Sequence, residues 1–139
     1  MSSGAIPRMV TTALVAVVSA AALCACNGPG AAGAADTARS FEQLAPEDPA
    51  TACDLLSGHT REAVEKQTDK GCAEGLADAD LPKPSQVQSV DVYGHDARVV
   101  MSEDVVFLAR FEEGWKVTAA GCRPGAVEDE PYDCDVSGG

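Results

Sequence analysis

The residues of this chain best equipped for chemistry are six cysteines, at Cys24, Cys26, Cys53, Cys72, Cys122 and Cys134. A thiol can hold zinc, exchange disulfides, carry a lipid or pair structurally, and spacing separates these roles. The last four are separated by 18, 49 and 11 residues. Structural zinc modules take their ligands from close C-x₂₋₄-C pairs, so no metal site is expected here. The absence of C-x-x-C likewise excludes a thioredoxin-like active site. Cys24-Ala25-Cys26 reads as a metal or redox pair only if both cysteines persist in the mature chain.

Other polar residues offer little. His59 follows Gly58 at a helix start and His95 stands in a turn beside Asp96, so both are expected to face solvent. Asp91 and Arg98 flank the Gly94 turn on adjacent strand segments and are expected to form a surface ion pair across it. Glu128, Asp129, Glu130, Asp133 and Asp135 lack the spacing of a calcium-binding EF-hand loop and read as a solvated acidic loop. No Ser/His/Asp arrangement, phosphate-binding glycine loop or H-E-x-x-H occurs. No catalytic residue and no cofactor is therefore assigned.

The elements that position these residues begin with an export signal. Met1 to Arg8 carries the only charged side chain before residue 26, and Met9 to Leu23 is an uncharged apolar run of 15 residues. That length suits a signal peptide and falls short of the roughly 20 residues that span a bilayer. Leu23-Cys24-Ala25-Cys26 resembles a bacterial lipobox, with Leu at −3 and small residues before the lipidated cysteine. Cys24 as acceptor would place a bulky Leu at −1. Cleavage before Cys26 is thus expected, discarding residues 1–25 with Cys24 and leaving Cys26 for thioether linkage to diacylglycerol. Such an anchor would hold the protein at the outer face of the cytoplasmic membrane. Residues 26–40, rich in Gly and Ala, read as a flexible tether.

What remains is one small domain. Its 9 basic and 22 acidic side chains give a charge of −13, which repels phosphate backbones and argues against a nucleic-acid partner. Phe41 to Ser57 is helical in pattern, with Asp48-Pro49 suited to an N-cap and first turn. His59 to Thr68 starts a second helix with Thr60 as cap and Glu62/Lys66 paired at i,i+4. Cys72 to Ala79 adds short turns before the helix-breaking Leu81-Pro82-Lys83-Pro84.

After Pro84 the period changes from helical to alternating. Val87–Tyr93, Ala97–Ser102, Val105–Glu112 and Trp115–Ala120 read as four strands joined by short turns. The expected fold is α+β, with two or three N-terminal helices packed on a four-stranded antiparallel meander over residues 41–122. Leu55, Val64, Val99, Phe107, Phe111 and Val117 are its expected core, with Trp115 at the edge. Residues 123–139 form an acidic C-terminal tail closed by a disulfide.

With Cys26 lipidated, four cysteines remain, an even number in an oxidising compartment. Three connectivities are open. Pairing of sequence neighbours, Cys53 with Cys72 and Cys122 with Cys134, matches the element layout best.

The motifs Ala50-Thr51-Ala52-Cys53-Asp54-Leu55-Leu56-Ser57, Cys72-Ala73-Glu74 and Gly114-Trp115-Lys116-Val117 suggest a family. Over residues 41–122 the chain resembles small secreted actinobacterial lipoproteins with an NTF2-like (cystatin-like) domain. That resemblance implies either a non-catalytic binding or accessory module, with a small-molecule or protein partner, or a pocket enzyme using a carboxylate with His or Arg.

Overall fold

A computed structural model describes residues 30–139, together with the isolated Gly4. The expected signal segment 1–25 and Cys26 lie outside the described residues, apart from Gly4. Four helices precede five strands: α1 (Ala31–Glu47), α2 (Pro49–Leu55), α3 (Gly58–Thr68), α4 (Cys72–Asp78), β1 (Val87–Tyr93), β2 (Asp96–Met101), β3 (Val105–Phe111), β4 (Gly114–Arg123) and β5 (Asp133–Ser137). The strands form one antiparallel sheet in the order β1-β2-β3-β4-β5. The α+β class and the meander stand, with one more strand than expected and four helices in place of two or three.

The largest departure is at the amino-terminal end. Residues 31–40, expected within the tether, are the first turns of α1. Small side chains at Ala31, Ala34, Ala35 and Ala38 lie on one buried stripe that continues through Phe41, Glu42 and Ala45. Their composition resembles a linker, yet spacing of three and four residues presents one continuous face, and burial of that face stabilises the helix.

The single helix expected over 41–57 is broken at Asp48. Pro49 disfavours helical backbone at the residue before it. Asp48 accordingly sits at φ −143°, and its carboxylate accepts the Thr51 N–H at 3.2 Å to cap α2. Ser57, and not Thr60, caps α3, accepting the Thr60 N–H at 3.2 Å. Thr60 is buried instead, and its hydroxyl donates to the Thr118 carbonyl at 3.0 Å. Ser57 N–H donates to the Val117 carbonyl at 2.9 Å, so the α2–α3 junction is stitched to β4.

The main core lies between the helices and one sheet face. Phe41, Leu56, Val64 and Leu76 meet Val99, Met101, Val106, Leu108, Val117 and Val136 there. β3 shows the opposite face to the one expected. Val106 and Leu108 are buried beneath the helices, whereas Phe111 is 45% exposed. Both alternating sets of β3 are apolar, so alternation alone did not say which set faces inward. Arg110, at the end of the inward set, is accommodated at the open end of the layer by stacking on Trp115 at 4.6 Å. Phe107 belongs to a second, smaller cluster on the outer face, with Val105, Ala119, Cys122, Tyr132 and Cys134. Leu55 packs only at the margin of the main core.

Both expected disulfides are present. Cys53–Cys72 joins α2 to the first residue of α4, with Cα atoms 6.2 Å apart. Cys122–Cys134 links register partners of β4 and β5, with Cα atoms 3.9 Å apart. Residues 133–137, expected within a tail, are therefore a paired strand that places Val136 in the core.

Candidate functional site

Glu42 sits on the apolar stripe of α1 and is only 5% exposed. A carboxylate there must find partners or lose its charge. Its Oε2 accepts from the Ser85 backbone N–H at 2.7 Å and from the Ser85 hydroxyl at 3.3 Å. Asp104, 7% exposed, closes the β2–β3 turn, where its carbonyl accepts the Met101 N–H at 2.8 Å. Its Oδ2 accepts the Gly121 N–H of β4 at 2.8 Å. Glu42 Oε1 and Asp104 Oδ1 are left without another donor. They are the oxygens through which the two neighbouring carboxyls can share one proton. Burial, followed by that bond and by the Asp104 charge, raises the Glu42 pKa from 4.5 to about 7. A proton shared there is a clasp that ties together four pieces of chain, which the two carboxyls reach through Ser85 and Gly121: α1, the Pro82–Gln86 segment, the β2–β3 turn and β4.

Gly121 is part of the clasp by necessity. Its φ of +65° is left-handed, and a Cβ there would stand 2.9 Å from that of Asp135. Asp135 is itself held by Arg123 at 3.0 Å. Gly121→Ala is expected to lower the unfolding free energy by about 1–2 kcal/mol, read by urea denaturation. An unchanged midpoint would refute this account of Gly121.

Beside the clasp lies an apolar cleft of about 290 Å³, lined by Ala45 and Pro46 of α1, Leu76 of α4 and Leu81, Pro82 and Pro84. Lys83 also lines it and is exposed. The clasp and the cleft share a wall, because Ser85 follows Pro84 directly and Ala45 lies one turn beyond Glu42.

The residues singled out from sequence do not converge on this cleft. His59 is exposed near the C-terminal glycines, and His95 is exposed in the β1–β2 turn. Asp91 and Arg98 do pair across their strands, at 2.8 Å, with Tyr132 Oη 3.4 Å from Arg98. Both side chains are more than one-third exposed, so the pair contributes about 0–1 kcal/mol. Glu130 folds back to accept the Ala126 N–H at 2.9 Å, and Asp135 turns to Arg123. Among the described residues no group of three or more His, Cys, Asp or Glu side chains could hold a metal ion. Nor is any helix among them long and apolar enough to cross a membrane.

Glu42 and Asp104 were not among the expected site residues. The signal for Glu42 was its register: it falls at helical spacing from Ala34, Ala35 and Ala38, visible once residues 31–40 are read as helix. Asp104 carried no such signal, because its burial depends on β4 crossing behind the turn. Compared with known proteins, the chain matches no family model, no curated protein and no solved structure, so no relative lends a function to this site.

Proposed function

We propose that this protein is an exported lipoprotein, held at the outer face of the cytoplasmic membrane through Cys26, whose domain is a non-catalytic binding or accessory module. The observation that carries the second half is the filled helix-facing side of the sheet. A pocket enzyme of the NTF2-like kind needs an open cavity there, with a carboxylate beside a histidine or arginine. Instead Val99, Val106, Leu108 and Val117 pack directly under Phe41 and the alanines of α1. The buried carboxylates among the described residues, Glu42 and Asp104, lie beside each other and are bonded to Ser85 and the Gly121 N–H, with no ion pair to a cation. The apolar feature on the surface is the Ala45–Pro84 cleft. At about 290 Å³ it lies at the lower edge of small-molecule pockets, the size for one compact apolar group. The NTF2-like resemblance belongs to this proposal, supported by the order of helices first and an antiparallel sheet after.

Cys26→Ala tests the anchoring. In cells fed radiolabelled palmitate, the parent is expected to carry label and to sediment with membranes. The variant is expected to lose the label and appear in the soluble fraction. Label retained in the variant would refute Cys26 as the acceptor.

A further inference from the structure

The helical start of α1 at Ala31 shortens the leash to the proposed anchor. Only four peptide units separate Cys26 from Gly30, at most about 14 Å of extended chain. Gly30 is not free to wander at the far end of that leash. It caps α1 at φ +84°, and a Cβ on it would lie 3.3 Å from the Trp115 ring. Gly33, almost one turn on, is pressed to the same ring, a Cβ there lying 3.1 Å away. The amino end of α1 is therefore fixed to one end of the sheet, where the β1–β2 and β3–β4 turns emerge.

Two of the three exposed large hydrophobic residues among the described ones belong to that same end. Tyr93 is 63% and Phe111 is 45% exposed. Tyr93 pairs with Asp96 beside the β1–β2 turn, and Phe111 pairs with Gly114 beside the β3–β4 turn. Trp115 follows, half-buried, with the Arg110 guanidinium over it. Aromatic rings with polar edges favour the boundary between lipid and water.

Resting on the Cys26 reading, we propose that the Tyr93–Phe111–Trp115 end of the domain lies against the bilayer that carries the anchor. The short leash raises the local concentration of this end at the membrane, so even a weak contact is populated. Glu112 and Glu113 at the hairpin tip keep their hydration, which sets the contact in the headgroup layer. With Asp96 they outnumber Arg110 and Lys116, so the contact is apolar and does not require anionic lipid. Because α1 runs about 25 Å, the Ala45–Pro84 cleft at its other end is carried away from the membrane.

Trp115 is the only tryptophan in the chain and reports on this end directly. The diacylated protein is reconstituted into phosphatidylcholine vesicles with and without dibrominated acyl chains. Brominated lipid is expected to reduce Trp115 emission by at least one third, and Phe111→Ser with Tyr93→Ser is expected to halve that quenching while flotation persists. Flotation with equal emission in both vesicles overturns the proposal and leaves the anchor in place. Protein recovered from cells with no lipid on Cys26, or lipid-free protein that floats as well as the diacylated form, overturns the anchoring itself. A dimer of the lipid-free domain that Phe111→Ser dissociates, with no quenching on vesicles, assigns the patch to a second copy and also overturns the proposal.

Discussion

Replacing Cys53, Cys72, Cys122 and Cys134 together by alanine is expected to lower the unfolding free energy by about 5–6 kcal/mol. The bridges close loops with sequence separations of 19 and 12. On the chain-entropy estimate each is worth roughly 3 kcal/mol, by restricting the unfolded chain. Small domains have about 5–15 kcal/mol in total, so the four-alanine variant should be barely folded at 37 °C. The two bridges are not equivalent. Cys53 and Cys72 are buried in the main core, at 2% and 4% exposure. Their removal leaves a void under α2 as well as a longer free chain, whereas Cys122–Cys134 lies in the smaller outer cluster. The first double variant should therefore lose more stability than the second. Urea titrations of the parent and the two double variants check this, and the slope should rise in both, because an uncrosslinked unfolded chain exposes more surface. A loss below about 1 kcal/mol for either pair would contradict the role assigned to it.

A comparable effect is expected from pH alone. An unfolded Glu42 releases its proton near 4.5, whereas the folded domain holds it to about 7. Between those values the folded state binds more protons than the unfolded one, so stability falls as pH rises. The contribution is complete below pH 4.5 and gone above about 7. Its size is on the order of 3 kcal/mol, since each tenfold gain in proton affinity on folding is worth about 1.4 kcal/mol. Glu42→Gln separates this from the titration of surface carboxylates common to both proteins. The amide can accept from Ser85 and donate to Asp104 without titrating. Thermal melts should show the variant near the parent at pH 4.5 and more stable than it at pH 8. A difference between the two proteins that stays constant from pH 4.5 to 8 would remove the shared proton.

Much of this architecture was legible in the chain. β1 runs over Val87–Tyr93 as its alternation suggested, and Asp48-Pro49 marked the start of α2. The disulfide partners followed from the placement of elements. What was missed has common physical causes. Local composition cannot separate a Gly/Ala linker from a helix made for close approach, since the distinction lies in what packs against it. Alternation in β3 is equally good in either direction, because Val106 and Leu108 are as apolar as Val105 and Phe107. β5 is polar enough to be tail, and only its pairing with β4, through Cys122–Cys134 and Val136, makes it a strand. The carboxyl pair was hidden for the same reason. Glu42 was absorbed into a helix whose face was not yet defined, and Asp104 into a turn.

The strand order has a further meaning if, as proposed, the chain folds after crossing a membrane. Every strand pairs with its successor in sequence, so the sheet can grow hairpin by hairpin with short loops to close. Contacts so local favour rapid assembly, typically well within a second, whereas disulfide formation takes about seconds to hours depending on the oxidant. The sheet should be in place before the thiols react. Cys122 and Cys134 then face each other because β4 and β5 are in register. For this pair the fold selects the disulfide, and correct oxidation requires no reshuffling of partners.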